Sequence, residues 1–249
     1  MQVAYLTDVG RRRDNNQDFV GTFKNLAGLD FAMVADGIGG HQGGDVASSM
    51  AVSHMGSRFE ETRFTDPGTA AKWLSSEAQQ ENDTIVAKAQ QYRDLNGMGT
   101  TIVAAIIFDE QFLLANIGDS RGYLLRNGKL DQLTEDHSLV NELVKMGQLS
   151  IEDAQRHPDK NIITRTLGIN DEADIDINLY HALPGDLVML CSDGLTNMVP
   201  DDKIHEVLTA TTPTLQEKCQ TLVNLANEAG GRDNITVLLM AADREVSTS

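Results

Sequence analysis

The chain has 249 residues, 41% of them apolar, enough to bury a core in one large domain or two small ones. Its formal net charge of −17 excludes nucleic acid as a partner, because that binding needs a basic surface. The two cysteines, Cys191 and Cys219, build neither a disulfide framework nor a CxxC pair, and the longest apolar stretch, TIVAAIIF, is too short to span a bilayer.

Met1 leads directly into QVAYLTD with no basic and then apolar leader, so a cytoplasmic protein without membrane insertion is expected. QVAYLTDVG reads as a first strand and turn. RRRDNNQDF follows, placing Arg13 five residues before Asp18. On its own this is an exposed polar loop, or an arginine for a phosphate beside a carboxylate for a metal. FVGTF and LDFAMVAD form a hairpin that ends in Asp36, and VADGIGGH continues it through Gly37 to His41. A strand that stops at an Asp and a glycine turn delivers a carboxylate to a sheet end, although Asp-Gly also reads as a plain turn.

A helix is expected from Gly43 to about Glu61, with Val46, Met50, Val52 and Met55 on its buried side. A second spans about Pro67 to Tyr92, with proline near its start and Ala70, Trp73, Leu74, Ala78, Ile85 and Ala89 on its apolar face. GMGTT then opens three strands in quick succession, through GDSR and the Asn127-Gly128 hairpin signal into KLDQLT. Such a meander excludes a doubly wound fold. Two short helices are expected around Gly147, with a small apolar face from Leu139, Leu143, Val144 and Met146. IDINLYHAL and DLVMLC are strands, and the latter ends in Asp193-Gly194. A helix from about Leu215 to Glu228 and GGRDN lead into the last strand, ITVLLMA. The expected fold is α+β: two antiparallel sheets packed face to face, flanked by helix pairs. No linker is visible, so one domain over 1–243 is expected, with a tail at 244–249.

Asp18, Asp36, Asp119, Asp193 and Asp233 thus all stand in turns or at strand ends. One such Asp is usually a cap. Five unpaired carboxylates gathered in one cleft would repel and resist desolvation, a cost that hard, oxygen-preferring Mg²⁺ or Mn²⁺ would remove. Neither GxxxxGK[ST] nor GxGxxG fits the glycine run, which argues against a nucleotide-binding loop. No cysteine sits in a CxxxxxR loop, which argues against a phosphocysteine route.

The motifs RRRDNNQD, VADGIGGH, GMGTT, GDSR, CSDGLTN and GGRDN, in that order, resemble the metal-dependent Ser/Thr protein phosphatases of type 2C, in particular their compact bacterial members. The resemblance runs from the first strand to the last. It implies a binuclear Mn²⁺ or Mg²⁺ centre in which Asp36 bridges the ions and Gly37 offers its carbonyl. Asp193 and Asp233 would complete one ion's shell, and Asp18 would lie beside the other. Asp119, with Asp193, matches a weaker third-metal site, and about 145–163 matches the family's flap. Arg13 would hold the substrate phosphate. A hydroxide bridging the ions would attack phosphorus in line, with His41 a candidate acid, although eukaryotic relatives place a histidine where this chain has Ile38 and a metal-bound water is the alternative acid. Phosphoserine and phosphothreonine in proteins are the implied substrates, and a membrane Ser/Thr kinase the implied opponent. A monomer is expected. A catalytically inactive phosphoprotein-binding regulator is the alternative, and it predicts missing carboxylates.

Overall fold

A computed structural model describes residues 1–39 and 43–241, apart from the side chain of Gln155, so His41 and the 244–249 tail lie outside the described residues. In chain order come β1 (Gln2–Asp8), β2 (Asp18–Lys24), β3 (Asp30–Ile38), α1 (Gly44–Glu60) and α2 (Pro67–Gln91). Next is the antiparallel run β4 (Gly99–Thr100), β5 (Ile102–Ile107), β6 (Gln111–Ile117), β7 (Arg121–Arg126) and β8 (Lys129–Gln132). The chain then forms α3 (Leu139–Lys145), α4 (Ile151–Arg156), β9 (Asp176–His181), β10 (Leu187–Cys191), α5 (Asp193–Thr196), α6 (Asp201–Thr209), α7 (Leu215–Glu228) and β11 (Ile235–Ala241).

The strands form two sheets, ordered β1-β11-β10-β7-β8 and β2-β3-β5-β6-β9, with β4 paired to β3. All the pairings are antiparallel. Successive side chains of a strand point to opposite faces, so a central strand serves two cores. In β3, Phe31, Met33 and Ala35 pack against α1 and α2, while Ala32 and Val34 pack between the sheets. In β10, Met189 and Cys191 face the side of α6 and α7, while Val188 and Leu190 face inward. Because both faces of these strands are covered, they read as continuous apolar runs. The result is the expected layering of helices, sheet, sheet and helices.

The helix boundaries follow from local chemistry. Asp66 caps α2 by accepting from Thr69 N, and Pro67 occupies the first turn, where its missing N–H costs nothing. Thr214 and Glu217 form a reciprocal capping box at the start of α7. Phe31, Phe59 and Trp73 meet under α1 and α2 with ring centroids 4.8 to 5.9 Å apart.

Three features differ from expectation. The polar run after Pro200 forms α6, which buries Ile204 and Leu208. Asp193-Gly194 opens a short helix, α5, where only the end of a strand was expected. The interior of α2 also buries two polar residues, Glu81 and Asn82. Glu81 takes Arg58 Nη2 at 2.8 Å and His54 Nδ1 at 2.9 Å from α1. Asn82 holds Gly168 N at 2.7 Å and Asn170 O at 2.9 Å. The two short helices around Gly147 are present as α3 and α4. A bridge between Ser138 and Ile163 closes the base of their lobe, which therefore begins before Lys145.

Candidate metal centre

The inward-facing rows of four strands end in polar residues at one end of the sandwich. Val20 faces inward, and Asp18 lies two positions earlier on the same face of β2. Asp36 follows Ala32 and Val34 on β3. Ser192 follows Val188 and Leu190 beyond β10, and Thr236 precedes Leu238 and Met240 on β11. Antiparallel register sets Asp18 opposite Asp36. A period of two along each strand therefore converts an apolar core into a carboxylate cluster at its rim.

Asp18 is buried. Its Oδ2 accepts from Ser192 Oγ and Thr236 Oγ1, each at 2.7 Å, and its Oδ1 has no hydrogen-bond partner among the described residues. Burial pushes its carboxyl up to about 7 despite those two hydroxyls. Asp36 is half-buried, with its backbone fixed by Thr101: its N donates to Thr101 Oγ1 at 3.0 Å, and its O accepts Thr101 N at 2.9 Å. Burial and then the charges of Asp18 and Asp193 hold the Asp36 carboxyl well above the usual range.

Asp193 begins α5, and its Oδ2 accepts from Asn197 Nδ2 at 2.8 Å while Oδ1 is orphaned. Burial and the charge of Asp233 push it up to about 6. Asp119 sits in the turn between β6 and β7, where Gly118 takes φ +105°; its Oδ1 is also buried without a partner. Burial, then Asp193 and Asp136, raise it strongly. Asp233 accepts from Arg13 Nη2 at 2.8 Å and from Asn234 N at 2.9 Å. Arg13 thus stands at the cluster, paired with a carboxylate in this conformation.

Gly37 lies where β3 touches the start of α1. A Cβ there would come within 2.1 Å of Gly44 O and 2.6 Å of Gln17 O, so no other residue fits without moving backbone. The structure thus brings Arg13, Asp18, Asp36, Gly37, Asp119, Asp193 and Asp233 to one end of the sandwich. His41 lies outside the described residues.

Several supporting residues are not evident from the sequence. Ser192 and Thr236 hold Asp18, and Thr101 ties Asp36 to Ser120 Oγ at 2.8 Å. Asn234 Nδ2 donates to Val9 O and Asn15 O at 2.9 Å, and its Oδ1 accepts Gln17 N at 2.8 Å, which straps the Arg13 loop in place. Buried His137 accepts Gly118 N at 3.2 Å through Nδ1 and meets Asp176 through Nε2, so it supports the Asp119 turn. A polar residue one step beyond an inward-facing apolar row is the sequence signal that Ser192 and Thr236 share.

This donor set suits a hard divalent cation. Three orphaned, buried carboxylate oxygens and four carboxyls raised by burial and mutual repulsion describe a site short of positive charge. Among the described residues no three acidic side chains close into a cage by themselves. Water and backbone carbonyls must supply the remaining ligands, as is usual for Mg²⁺ and Mn²⁺. Both cysteines are buried, and burial pushes their thiols up to about 12, which leaves them protonated and unreactive. Beside Asp119 and Asp193 opens a cavity of about 690 Å³, roofed by Val140, Val144, Ile151 and Ala154 of the α3–α4 lobe.

Comparison with known proteins gives a consistent result. Residues 10–228 match the family model described as protein phosphatase 2C. A serine/threonine phosphatase named stp from Listeria monocytogenes is 48% identical over 98% of this chain and 96% of its own length. The S. agalactiae serine/threonine phosphatase superposes with a TM-score of 0.93 at 44% identity, covering 97% of this chain and 99% of that one. The catalytic domain of the phosphatase PstP, solved with two manganese ions, has a TM-score of 0.83 at 35% identity and 96% coverage of each chain.

Proposed function

The chain belongs to the protein phosphatase 2C family, and from that premise we propose that it hydrolyses phosphoserine and phosphothreonine in proteins, using Mn²⁺ or Mg²⁺ held by its carboxylate cluster. The observation that carries this reading is the set of orphaned oxygens on Asp18, Asp119 and Asp193 at the end of the sandwich that also holds the Arg13–Asp233 pair. An inactive regulator of the same fold would have lost part of that set, and none is lost.

In this reading Asp36, the Gly37 carbonyl, Asp193 and Asp233 hold the two tight ions, with Asp18 beside them. Asp119 and Asp193 hold a weaker third. Bound ions of this kind supply Lewis acidity and lower the pKa of a coordinated water toward neutrality. The chain's own residues do the rest. Arg13 exchanges Asp233 for the substrate phosphate, whose oxygens its planar fork matches in pairs. Ser192 and Thr236 keep Asp18 oriented through its Oδ2, which leaves Oδ1 free. Thr101 and Ser120 lock the Asp36 and Asp119 backbones to one another. Cys191 and Cys219 take no part.

The setting that goes with this reading is the cytoplasm, as a monomer, opposite a Ser/Thr kinase whose targets the enzyme dephosphorylates. Among the described residues no helix is long and apolar enough to cross a membrane. The direct test is hydrolysis of an aryl phosphate and a phosphothreonine peptide by chelator-treated protein, with and without added Mn²⁺ or Mg²⁺. Turnover should appear only with metal, and full turnover in the metal-free sample would overturn the reading.

A further inference from the structure

The loops at the carboxylate end lie in the order of the strands that deliver them. Across the five-stranded sheet that order is β1, β11, β10, β7, β8. The Arg11–Arg13 loop after β1 and the Asp233 turn before β11 stand at one side. Asp193 follows β10 in the middle. Asp119, before β7, and Glu135 and Asp136, after β8, stand at the other side. With neighbouring strands about 4.8 Å apart, the row is about 19 Å across, room for roughly six residues of extended peptide.

The two sides differ in charge. The cavity at the β7–β8 side carries Asp119, Glu135, Asp136, Asp193 and Asp201 against Arg121 and Lys160, and Arg121 is committed to Asp136 through Nη2 at 2.6 Å. The β1–β11 side carries Arg11, Arg12, Arg13 and Arg232 against Asp8, Asp14, Glu228 and Asp233, so its charges balance, and Asp233 is taken up by Arg13. This gathering of arginine stands out in a chain of formal net charge −17.

The arginine side is also rigid at its base. Arg11 N and Arg12 N both donate to Gly231 O, at 2.8 and 3.1 Å. Gly10, at φ +78°, lies so close to the Asp233 turn that a Cβ would fall 2.1 Å from Asp233 O. Asn234 straps both ends of the loop. Arg232 runs alongside Gly230, its Cγ 3.7 Å from where a Cβ would stand. Arg11 and Arg12 line one shallow basin of about 560 Å³ together with Asn227, Gly230 and a single carboxylate, Glu228, and Arg232 stands next to its Gly230 edge. Arg13 is the member of this group with an ion-pair partner; Arg11, Arg12 and Arg232 are exposed and make no ion pair among the described residues. Exposed guanidiniums on fixed backbone, next to the arginine that meets the scissile phosphate, suit a second anionic group on the same substrate.

We propose that Arg11, Arg12 and Arg232 form an anion subsite that favours substrates with a second negative group, a carboxylate or a further phosphoryl group, close in sequence to the scissile phosphoresidue. The proposal rests on the phosphatase reading above. One to two strand spacings separate the basin from the centre, which corresponds to roughly one to three residues of extended chain.

The test compares matched phosphothreonine peptides. One set carries a neutral residue, an Asp pair or a phosphoserine two and three positions before the phosphothreonine, and a second set carries them after it. Wild-type protein with Mn²⁺ should cleave the best acidic or doubly phosphorylated peptide with a kcat/KM roughly tenfold above the neutral one, mainly through KM. A gain with phosphoserine alone assigns the subsite to phosphoryl groups, and a gain with both assigns it to anions in general. The preference should collapse in about 1 M salt, where screening acts within about 3 Å. It should also collapse in Arg11→Gln/Arg12→Gln and in the triple variant with Arg232→Gln, each normalised to the same variant's aryl phosphate rate. Equal kcat/KM for neutral and acidic peptides, or a preference that survives in the triple variant, overturns the subsite. Absence of all hydrolysis by wild-type protein, aryl phosphate included, would overturn the phosphatase reading itself.

Discussion

At the carboxylate end of the sandwich, the acidic side chains stand on backbone bonded across strands or between turns: Asp18 faces Asp36 in register, and Thr101, Asn234 and Ser192 each bridge two elements. The neighbouring lobe of α3 and α4 is built otherwise. Val140 is the buried residue of α3, and Met146 and Ile151 are 66% and 65% exposed. One contact from the lobe across the cavity is Lys160 Nζ to Asn197 Oδ1 at 3.1 Å. The contrast shows where tolerance lies. The clustered carboxylates are pinned by long-range register, whereas the surface that roofs the cavity rests on short helices with little packing.

The largest effect should come from the pinned side. Asp36→Asn should cut turnover of both aryl phosphate and phosphopeptide by at least roughly 10²- to 10³-fold. The same variant without metal should melt higher than wild type, because a repelling charge is gone; a lower midpoint would make Asp36 a structural residue. Next in size is the pH dependence of the metal-free fold. Asp18 and Asp193 are raised from 3.8 to about 7 and about 6. Between about pH 4 and 7 the native state therefore holds protons that the unfolded chain releases. Stability is greatest below that window and falls as pH rises through it, by a few kcal/mol over both groups. Denaturant midpoints at pH 5 and pH 8 should show this loss, and saturating Mn²⁺ should abolish it. A flat metal-free profile would mean the carboxyls are not strained.

Ser192→Ala or Thr236→Val removes one of the two hydroxyls on Asp18 Oδ2 and should weaken metal binding about 10- to 100-fold by calorimetry, with the fold retained. The smallest effect belongs to the lobe. Ile151→Ala should change stability by less than about 0.5 kcal/mol. It should alter phosphoprotein turnover severalfold while aryl phosphate turnover stays within about twofold. Equal losses on both substrates would erase the distinction between the two regions.

The acidic residues were legible in the sequence because each follows or precedes an apolar strand with a turn residue beside it. Asp36 and Asp193 also precede glycine. The helices α1, α2 and α7 were legible from their periodicity and caps. α6 was not, because its run after Pro200 begins with two aspartates and buries only Ile204 and Leu208. Glu81 gave no signal either. Its burial depends on Arg58 and His54 of α1, and pairing across helices leaves no local mark. Ser192, Thr236 and Asn234 act through cross-strand register, which is fixed only when β1, β2, β10 and β11 meet.

That meeting comes late. Asp18 and Thr236, joined at 2.7 Å, lie 218 positions apart, and β1 pairs with the last strand, β11. At about 5–20 residues per second of synthesis, the first strand waits on the order of ten to forty seconds for its neighbour. Asp233 arrives in the same final stretch. A chain that stops short of β11 lacks both Asp233 and Thr236, and with them the inner apolar row of Leu238 and Met240, so the centre is assembled only on a finished sandwich.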